Sequence, residues 1–134
     1  MEEKTIFQKI IAREIPADIL FEDESSIAFL DINPVSEGHT LLVSKEPYVW
    51  MQDVPDNLLG QLFTRVKKLM TAMKQGLGCD FVQISVVGKD VPHFHIHLIP
   101  RYMEDKLESW GTKKYTSDEE KLSYVNKIKE ALLQ

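Results

Sequence analysis

The chain has 134 residues, 43% of them hydrophobic, and a formal net charge of −5. This length is typical of a single domain with its own core, so we expect one domain over residues 1–134. The acidic balance argues against a nucleic-acid partner, which requires a basic face. The charged start MEEKTIF and the absence of any run of 18 apolar residues argue against a secretory signal and a membrane span. We therefore expect a cytoplasmic protein without a membrane partner, and Cys79, the single cysteine, excludes an intrachain disulfide.

The first predicted element is a short helix from Thr5 to Ala12. Thr5 is a typical N-cap, and Gln8 stands three residues later, as in a capping box. The apolar residues of this segment fall on one helical face: Ile6, Phe7, Ile10 and Ile11. Two short strands follow, Ile19 to Phe21 and Ile27 to Leu30, separated by an acidic turn.

A turn rich in Asn, Pro, Ser and Gly leads into a third strand directly after His39. The segment from Asp53 to Gly76 predicts a long amphipathic helix, capped by Asp53, with Pro55 in its first turn and its end near Gly76. Its apolar residues recur at helical spacing and are expected in the core: Leu58, Leu59, Leu62, Phe63, Val66, Leu69, Met70 and Met73.

The last elements are a hairpin and a helix. Phe81 to Val87 predicts a buried strand, and His93 to Ile99 a second strand that pairs with it. Ser117 and Glu120 suit the capping box of a terminal helix, whose inner stripe is Leu122, Val125, Ile128 and Leu132. Strands joined by short turns, with helices grouped outside them, favour an α+β fold with a mostly antiparallel sheet.

The stretch PHFHIHLIPR contains three of the chain's four histidines at alternate positions. In a strand, His93, His95 and His97 would share one face, and the apolar residues between them the other. The row would span about 13 Å, which is the scale of a small anion with its leaving group. A single histidine in an apolar strand is usually a core residue, but three in register predict a chemical site.

Two kinds of chemistry fit such a row. Imidazoles titrate near neutrality and can act as nucleophile, proton donor or anion holder. His-x-His on a strand can also bind zinc, copper or iron. The paired strand offers only Gln83 and Ser85 as polar groups, and His39 is the sole other histidine. This favours phosphate chemistry over a metal site.

The row resembles the His-x-His-x-His-apolar-apolar signature of the histidine triad (HIT) family of nucleotidyl hydrolases and transferases. The phrases IIAREIP, AFLDINP and GHTLLV resemble the amino-terminal half of the same family, in the same order. The resemblance covers about residues 5–101 and leaves residues 102–134 as a carboxy-terminal extension with a helix. It implies the HIT-like fold: a five-stranded sheet with a long helix and terminal helices.

The resemblance also implies a mechanism without cofactor or metal. His95 corresponds to the nucleophile, which attacks the α-phosphorus of a purine nucleotide conjugate and forms a covalent nucleotidyl-imidazole that water hydrolyses. His93 and His97 would lie beside the phosphate and leaving group, and His39 would support the row by hydrogen bonding. His95 should donate its other ring N–H to a backbone carbonyl, since only an unprotonated nitrogen can attack.

A nucleoside pocket follows from the same resemblance. Asp31 occupies the position whose carboxylate accepts hydrogen bonds from both ribose hydroxyls. Without the resemblance, a turn residue before Asn33-Pro34 is an equally good interpretation of Asp31. Five apolar residues match those that sandwich the base, although pattern alone would place them in an ordinary core: Ile6, Phe7, Ile10, Phe29 and Ile32.

The chain departs from the family in three places. Many bacterial members have Cys-x-x-Cys where this chain has Thr5 to Gln8, together with a histidine near Tyr48, so we predict no structural zinc. The family often carries an asparagine on the strand before the triad and a Gly-Gln or serine-bearing loop. Here the stretch is VVGKDVPH, in which Lys89 and Asp90 are candidate substitutes at the phosphate.

Three functions stay open at this point. The first is hydrolysis of purine nucleoside phosphoramidates or related nucleotidyl compounds such as aminoacyl adenylates. The second is a nucleotide-binding regulator with weak or no catalysis, which the altered GKD loop favours, and the third is a dinucleoside polyphosphate hydrolase. The resemblance further implies a homodimer, in which the long helix and a central strand meet their copies and Trp110 approaches the partner's site.

Overall fold

A computed structural model of the chain describes residues 3–106 and 113–133. The described part folds as a five-stranded antiparallel sheet in the order β1-β2-β3-β5-β4, with helices on both faces. The elements, in chain order, are α1 (Ile6–Ile11), β1 (Ile19–Glu22), β2 (Ser26–Leu30), β3 (Thr40–Ser44), a 3-10 helix (Met51–Asp53), α2 (Asp56–Leu77), β4 (Phe81–Ser85), β5 (His95–Arg101) and α3 (Asp118–Leu132). The predicted α+β architecture with a long helix and terminal helices is confirmed.

The two faces of the sheet bury different clusters. One cluster packs the sheet against α2 and α3 and includes Phe94, Ile96 and Leu98. The other lies under α1 and includes Phe7, Phe29, Leu41 and Val43. His97 is in register with Leu41, and His95 with Val43, so both histidines lie on the α1 face. The predicted alternation of apolar and imidazole faces along β5 is therefore confirmed.

The described residues 3–106 and 113–133 contain no helix that is both long and apolar enough to cross a bilayer.

The capping prediction for the first helix is confirmed. The Gln8 backbone N–H donates to Thr5 Oγ1 at 3.1 Å, and the Thr5 N–H donates to Gln8 Oε1 at 2.8 Å. Phe7 and Ile10 are buried on the inner side of this helix, whereas Ile6 is 45% exposed. A turn too short to be stable alone is thus fixed by two local bonds and two buried side chains.

The predicted ends of α2 are partly wrong. Asp53 does not cap this helix, because it lies in the separate 3-10 turn, and the N-cap is Pro55 without a side-chain hydrogen bond. The helix also passes Gly76 and ends at Gly78, whose φ of 70° suits a left-handed C-cap. Gly76 has a different role: a Cβ there would lie 2.4 Å from the Lys127 carbonyl oxygen, so the glycine permits close contact between α2 and α3.

The hairpin forms as predicted but with shorter strands. β4 pairs with β5 from Phe81 opposite Arg101 to Ser85 opposite His97. β4 ends at Ser85 rather than Val87, and only Val82 in it is buried, because the strand lies at the sheet edge. β5 begins at His95, so His93 lies in the bend before the strand.

The terminal helix begins at the predicted cap. The Glu120 N–H donates to Ser117 Oγ at 3.0 Å, but the Glu120 carboxylate accepts from the Thr116 N–H instead of closing a capping box. The inner stripe is Val125, Ile128 and Ala131. The prediction that Leu122 belongs to it is wrong, since Leu122 is 52% exposed.

The segment before α3 is bonded to the turn that precedes β3. The Lys113 N–H donates to the Pro34 carbonyl at 2.6 Å. The Gly38 N–H donates to the Tyr115 hydroxyl at 2.8 Å, and burial raises the pKa of Tyr115 to about 12. The carboxy-terminal extension is thus attached beside the segment that carries Asp31 and His39.

Candidate nucleotide site

A cleft of about 610 Å³ opens between α1, the edge of β2 and the loop that joins β4 to β5. Such a volume is typical of a small-molecule site. Its apolar wall comes from the buried side of α1 and from Phe29, while His95 and His97 form its floor. The cleft exists because α1 covers only part of the sheet face that carries the two histidines.

Most of the residues predicted from sequence come together in this cleft. It is lined by Ile6, Phe7, Ile10, Phe29, Asp31, Ile32, Lys89, Asp90, His95 and His97. Ile32 is 62% exposed and so lies at the mouth rather than in the core. His39 and His93 are not among the lining residues; both are buried behind them. Trp110, predicted to approach a partner's site, lies outside the described residues.

Several lining residues had no signal in the sequence. They come from the chain after α1, from β3 and from the loop after β4, and include Ile15, Pro16, Ala17, Leu41, Val87 and Val91. Isolated apolar residues in a loop do not form a periodic pattern, so only their contacts in the folded chain reveal them. The proline in EIPAD was the one available hint, because it stops the chain from continuing as a helix.

The His95 ring is oriented by the main chain. Its Nδ1 lies 2.6 Å from the His93 carbonyl oxygen, which can only accept a hydrogen bond. The proton of neutral His95 is therefore on Nδ1, and its Nε2 carries the lone pair. The ring also packs edge-on against Phe7, with centroids 4.8 Å apart. The predicted bond from His95 to a backbone carbonyl is confirmed.

Two consecutive hydrogen bonds fix the rings of His39 and His97. The Val35 N–H donates to His39 Nδ1 at 3.0 Å, so neutral His39 carries its proton on Nε2. That Nε2 lies 3.0 Å from His97 Nδ1, which therefore accepts. Neutral His97 in turn carries its proton on Nε2. The predicted hydrogen bond from His39 to the row is present, and one main-chain donor determines the tautomers of two rings.

His93 is placed differently from the prediction. We expected it beside the phosphate, but it lies before β5, fully buried, with Nε2 2.6 Å from the Ser44 carbonyl oxygen. Its Nδ1 is buried without a hydrogen-bond partner in the described part of the chain. His93 contributes to the site through its own carbonyl, which accepts from His95. His93 therefore lies outside the cleft and contacts the His95 ring through its main chain.

Burial keeps the whole row uncharged at neutral pH. Desolvation lowers the pKa of His39 to about 3 and that of His97 to about 4, with a further contribution from neighbouring histidines. Burial also lowers the pKa of His93 and His95 below 6.5. The nearby Asp90 carboxylate acts in the opposite direction and raises the pKa of His95 and His97. A neutral His95 is the form that can act as a nucleophile.

Asp31 has features of both interpretations made from sequence. Its Oδ1 accepts from the Asn33 N–H at 2.9 Å, as in an Asx turn, and its Oδ2 lies 3.7 Å from His39 Nε2. The side chain is 20% exposed and lines the cleft. Burial raises the pKa of this carboxyl, which shows that protein groups only partly replace its hydration. The turn presents the carboxylate to the cleft, where a ligand can supply further donors.

One group in the described residues has the donor atoms of a metal site: Asp31, His39 and His97. The tautomers do not fit such a site. His39 Nδ1 already accepts from the Val35 N–H, so its Nε2 carries a proton and offers no lone pair to a cation. Thr5 and Gln8, which replace the family's cysteine pair, bond each other's backbone N–H. Neither arrangement suits zinc.

An antiparallel sheet whose fifth strand presents His95 and His97 to a nucleoside-sized cleft, with His93 and His39 buried behind them, is typical of a class of nucleotide-binding proteins, and sequence comparison agrees. The HIT domain family model matches residues 12–104, and the chain belongs to this family. An uncharacterised HIT-like protein of Methanocaldococcus jannaschii is 46% identical over 105 residues, covering 75% of this chain and 81% of the relative. An adenosine 5′-monophosphoramidase of Saccharomyces cerevisiae is 35% identical over 127 residues, covering 91% of this chain and 78% of the relative.

Solved structures show the same fold. A zinc-bound histidine triad family protein from Mycobacterium smegmatis superimposes with a TM-score of 0.86 at 27% identity, covering 96% of this chain and 93% of that one. A HIT-like protein from Bartonella henselae, described as involved in cell-cycle regulation, also has a TM-score of 0.86 at 29% identity, with 98% of each chain covered. The HIT-like fold expected from the sequence is thus confirmed over nearly the whole chain.

Proposed function

We propose that the protein hydrolyses purine nucleoside phosphoramidates or related nucleotidyl compounds through a covalent intermediate on His95. The observation that carries this proposal is the hydrogen bond from His95 Nδ1 to the His93 carbonyl, 2.6 Å long, which leaves Nε2 unprotonated at the cleft floor. An oriented, neutral imidazole is a competent nucleophile at pH 7. The yeast relative's activity as an adenosine 5′-monophosphoramidase supports the same substrate class.

The rest of the cleft suits a nucleoside 5′-phosphate. Phe7, Ile10 and Phe29 offer an apolar wall for a base, and the Asp31 carboxylate offers two acceptor oxygens for a ribose diol. A sugar and base bound in this way would bring the 5′-phosphorus to His95 and His97, which form the floor of the same cleft. Phosphoryl transfer depends mainly on positioning and charge stabilisation, which a fixed nucleoside provides.

The proposed cycle has two displacements. His95 Nε2 bonds to the α-phosphorus as the bond from phosphorus to the leaving nitrogen breaks. The departing amine takes a proton from a water molecule, while the His97 Nε2–H donates a hydrogen bond to the phosphate. A second water then attacks the phosphorus, the bond to His95 breaks, and the proton that this water releases neutralises the hydroxide left by the first. The net reaction consumes one water and yields the amine and the nucleoside monophosphate. The His39–His97 hydrogen bond of 3.0 Å orients the ring that donates to the phosphate.

The decisive experiment is to trap the intermediate. Rapid acid-free quenching during turnover of adenosine 5′-phosphoramidate, followed by intact mass measurement, should show one nucleotidyl group on the native chain. His95→Gln should show none while still binding AMP, because its cleft wall and Asp31 are intact. An adduct of the same mass on the His95→Gln chain would overturn the assignment.

A second candidate is a nucleotide-binding regulator with weak or no catalysis. It is favoured by the cleft loop, in which Lys89 is the only cationic side chain among the described lining residues. Calorimetric titration with AMP and GMP, beside a turnover assay with their phosphoramidates, separates the two candidates. Tight binding without turnover would favour the regulator, and turnover dependent on His95 the hydrolase.

We also propose a homodimer built on the sheet edge. β4 is an edge strand whose other neighbour is solvent in the single chain, and Phe81, Val86 and Val87 beside it are 43%, 41% and 50% exposed. Unprotected apolar edges readily pair with a second chain. Sedimentation equilibrium should give twice the chain mass, and Phe81→Lys should shift it towards the monomer.

A further inference from the structure

The part of the cleft left for a leaving group is defined by elimination. If the apolar wall and Asp31 hold the nucleoside and His95 attacks the phosphorus, the remaining lining is Asn33, His97 and the loop of residues 87–91. This loop is one of the places where the sequence departs from the family pattern. Its two charged side chains, Lys89 and Asp90, are exposed and line the cleft. Their charges therefore face whatever group leaves the phosphorus.

The loop is held at both ends. Gly88 has a φ of 76°, and a Cβ there would lie 3.1 Å from the Trp50 ring, so the ring packs directly on the loop backbone. At the other end Val91 packs against the cluster that contains Phe7 and Val43. The His93 N–H donates to the Val91 carbonyl at 2.8 Å and joins the loop to the histidine row. Asp90 lies in the chain between these two contacts, next to the segment that carries the histidines.

The described residues that line the cleft include more negative than positive side chains. The described lining residues include two carboxylates, Asp31 and Asp90, and one cation, Lys89. His95 and His97 are neutral, because burial lowers the pKa of both. The Asp90 carboxylate has no hydrogen bond or ion pair with any residue in ranges 3–106 and 113–133. It is a negative charge close enough to influence both histidines, without a cation of its own.

We propose that Asp90 selects the leaving group by charge: it favours amine leaving groups that carry a second, cationic group over anionic ones such as pyrophosphate, sulfate or another nucleotide. This inference rests on the proposed function of the same cleft. A positive group on the departing amine would pair with the unpartnered carboxylate, whereas a phosphate or sulfate would be repelled by it. The basic side chain or α-amino group of an amino acid has the required chemistry.

The test uses three adenosine 5′-phosphoramidates of similar length, with n-pentyl, 4-aminobutyl and 4-carboxybutyl groups on the leaving nitrogen. They differ mainly in terminal charge, and kcat/KM is measured for each. Because the amines differ in intrinsic reactivity, the quantity compared is the cation-to-neutral ratio in native protein divided by that in Asp90→Asn. Asp90→Asn keeps the shape of the side chain and removes its charge.

Native protein should prefer the aminobutyl substrate, and Asp90→Asn should lower the cation-to-neutral ratio about three- to fivefold, as for one exposed charge pair. In the same variant, the kcat/KM of the carboxybutyl substrate relative to the neutral substrate should rise by a similar factor. Asp90→Glu should restore the native order, and Lys89→Gln should strengthen the preference for the cation. Glu130→Gln, the same charge change on exposed α3, should leave every ratio unchanged. Added 1 M salt should shrink the native preference, since the Debye length falls to about 3 Å.

The outcomes separate the two proposals. If all three substrates are hydrolysed through His95 but Asp90→Asn leaves their ratios unaltered, charge selection is overturned and the proposed hydrolase stands. If none forms the His95 adduct, the proposed function is overturned and the inference with it. A ratio that changes equally in Glu130→Gln would show a general charge effect and would also overturn the role of Asp90.

Discussion

Mild acid should destabilise the fold through the neutral histidines. The pKa of His39 is lowered to about 3 and that of His97 to about 4, against 6.5 for an exposed histidine. A lowered pKa in the folded state means that the unfolded chain takes up protons first. The stabilisation is therefore complete above pH 6.5 and is lost as the pH falls from there towards the folded-state values.

The size of the effect follows from these values. At pH 5 to 5.5 each of the two histidines is mostly protonated in the unfolded chain and mostly neutral in the fold, a difference of about 0.9 proton each. At about 1.4 kcal/mol per proton and pH unit, the free energy of unfolding should fall by about 2.5 kcal/mol per pH unit. From pH 6.5 to pH 5 the loss is about 3 kcal/mol, a large part of a typical domain's 5–15 kcal/mol. His93 and His95 act in the same direction, since burial lowers the pKa of both.

The assay is urea unfolding at constant ionic strength between pH 5 and pH 7.5, followed by far-UV circular dichroism and tryptophan fluorescence. His39→Asn is the matched variant, because an amide oxygen can accept from the Val35 N–H as His39 Nδ1 does. In this variant the free energy of unfolding should fall less steeply with decreasing pH, by about 1.2 kcal/mol per pH unit. It should also be destabilised by about 1–3 kcal/mol at pH 7.5, because His97 Nδ1 loses its donor. A native loss below about 1 kcal/mol between pH 6.5 and pH 5 would refute the neutral, buried row.

Three further perturbations test other features. Thr5→Ala should cost about 1 kcal/mol in urea unfolding by removing the bond to the Gln8 N–H, and Thr5→Ser should restore most of it. Gly76→Ala should destabilise the protein by about 1–3 kcal/mol, because its Cβ would lie 2.4 Å from the Lys127 carbonyl. Gly60→Ala in the same helix, with nothing within 4 Å, should instead stabilise by about 0.5–1 kcal/mol; equal effects would contradict the close packing. Native protein should bind AMP about tenfold or more better than 2′-deoxy-AMP in calorimetry, and Asp31→Asn should abolish most of that preference; an unchanged preference would remove Asp31 from the ribose site.

Local signals predicted the helix starts only where the signal was unambiguous. Thr5 and Gln8 form their reciprocal bonds, and Ser117 caps α3. The same kind of reasoning predicts Asp53 as the N-cap of α2. However, Asp53 belongs to a short 3-10 turn, and the helix starts after Pro55. An acidic residue two positions before a proline, as Asp53 is before Pro55, is compatible with either start. Which one forms depends on how the segment packs, and that information is not local.

Periodicity predicted which residues share a face, but not what covers that face. The alternation along β5 placed His95 and His97 correctly, while Leu122 has helical spacing and yet is exposed. For the same reason, the prediction of the site residues depends in part on the resemblance to the family. Nothing near His39 in the sequence indicates that it would lie 3.0 Å from His97 Nδ1, 58 positions away. Contacts across such separations come from the order of strands in the sheet.

Through the hydrogen bond between Gly38 and Tyr115, the carboxy-terminal extension supports the candidate site, although Tyr115 is not among the residues that line the cleft. Tyr115 lies beyond residues 12–104, the span matched by the family model, yet its hydroxyl fixes the backbone next to His39. A chain without this hydrogen bond would hold the segment that carries Asp31 and His39 less firmly, even with every side chain that lines the cleft unchanged.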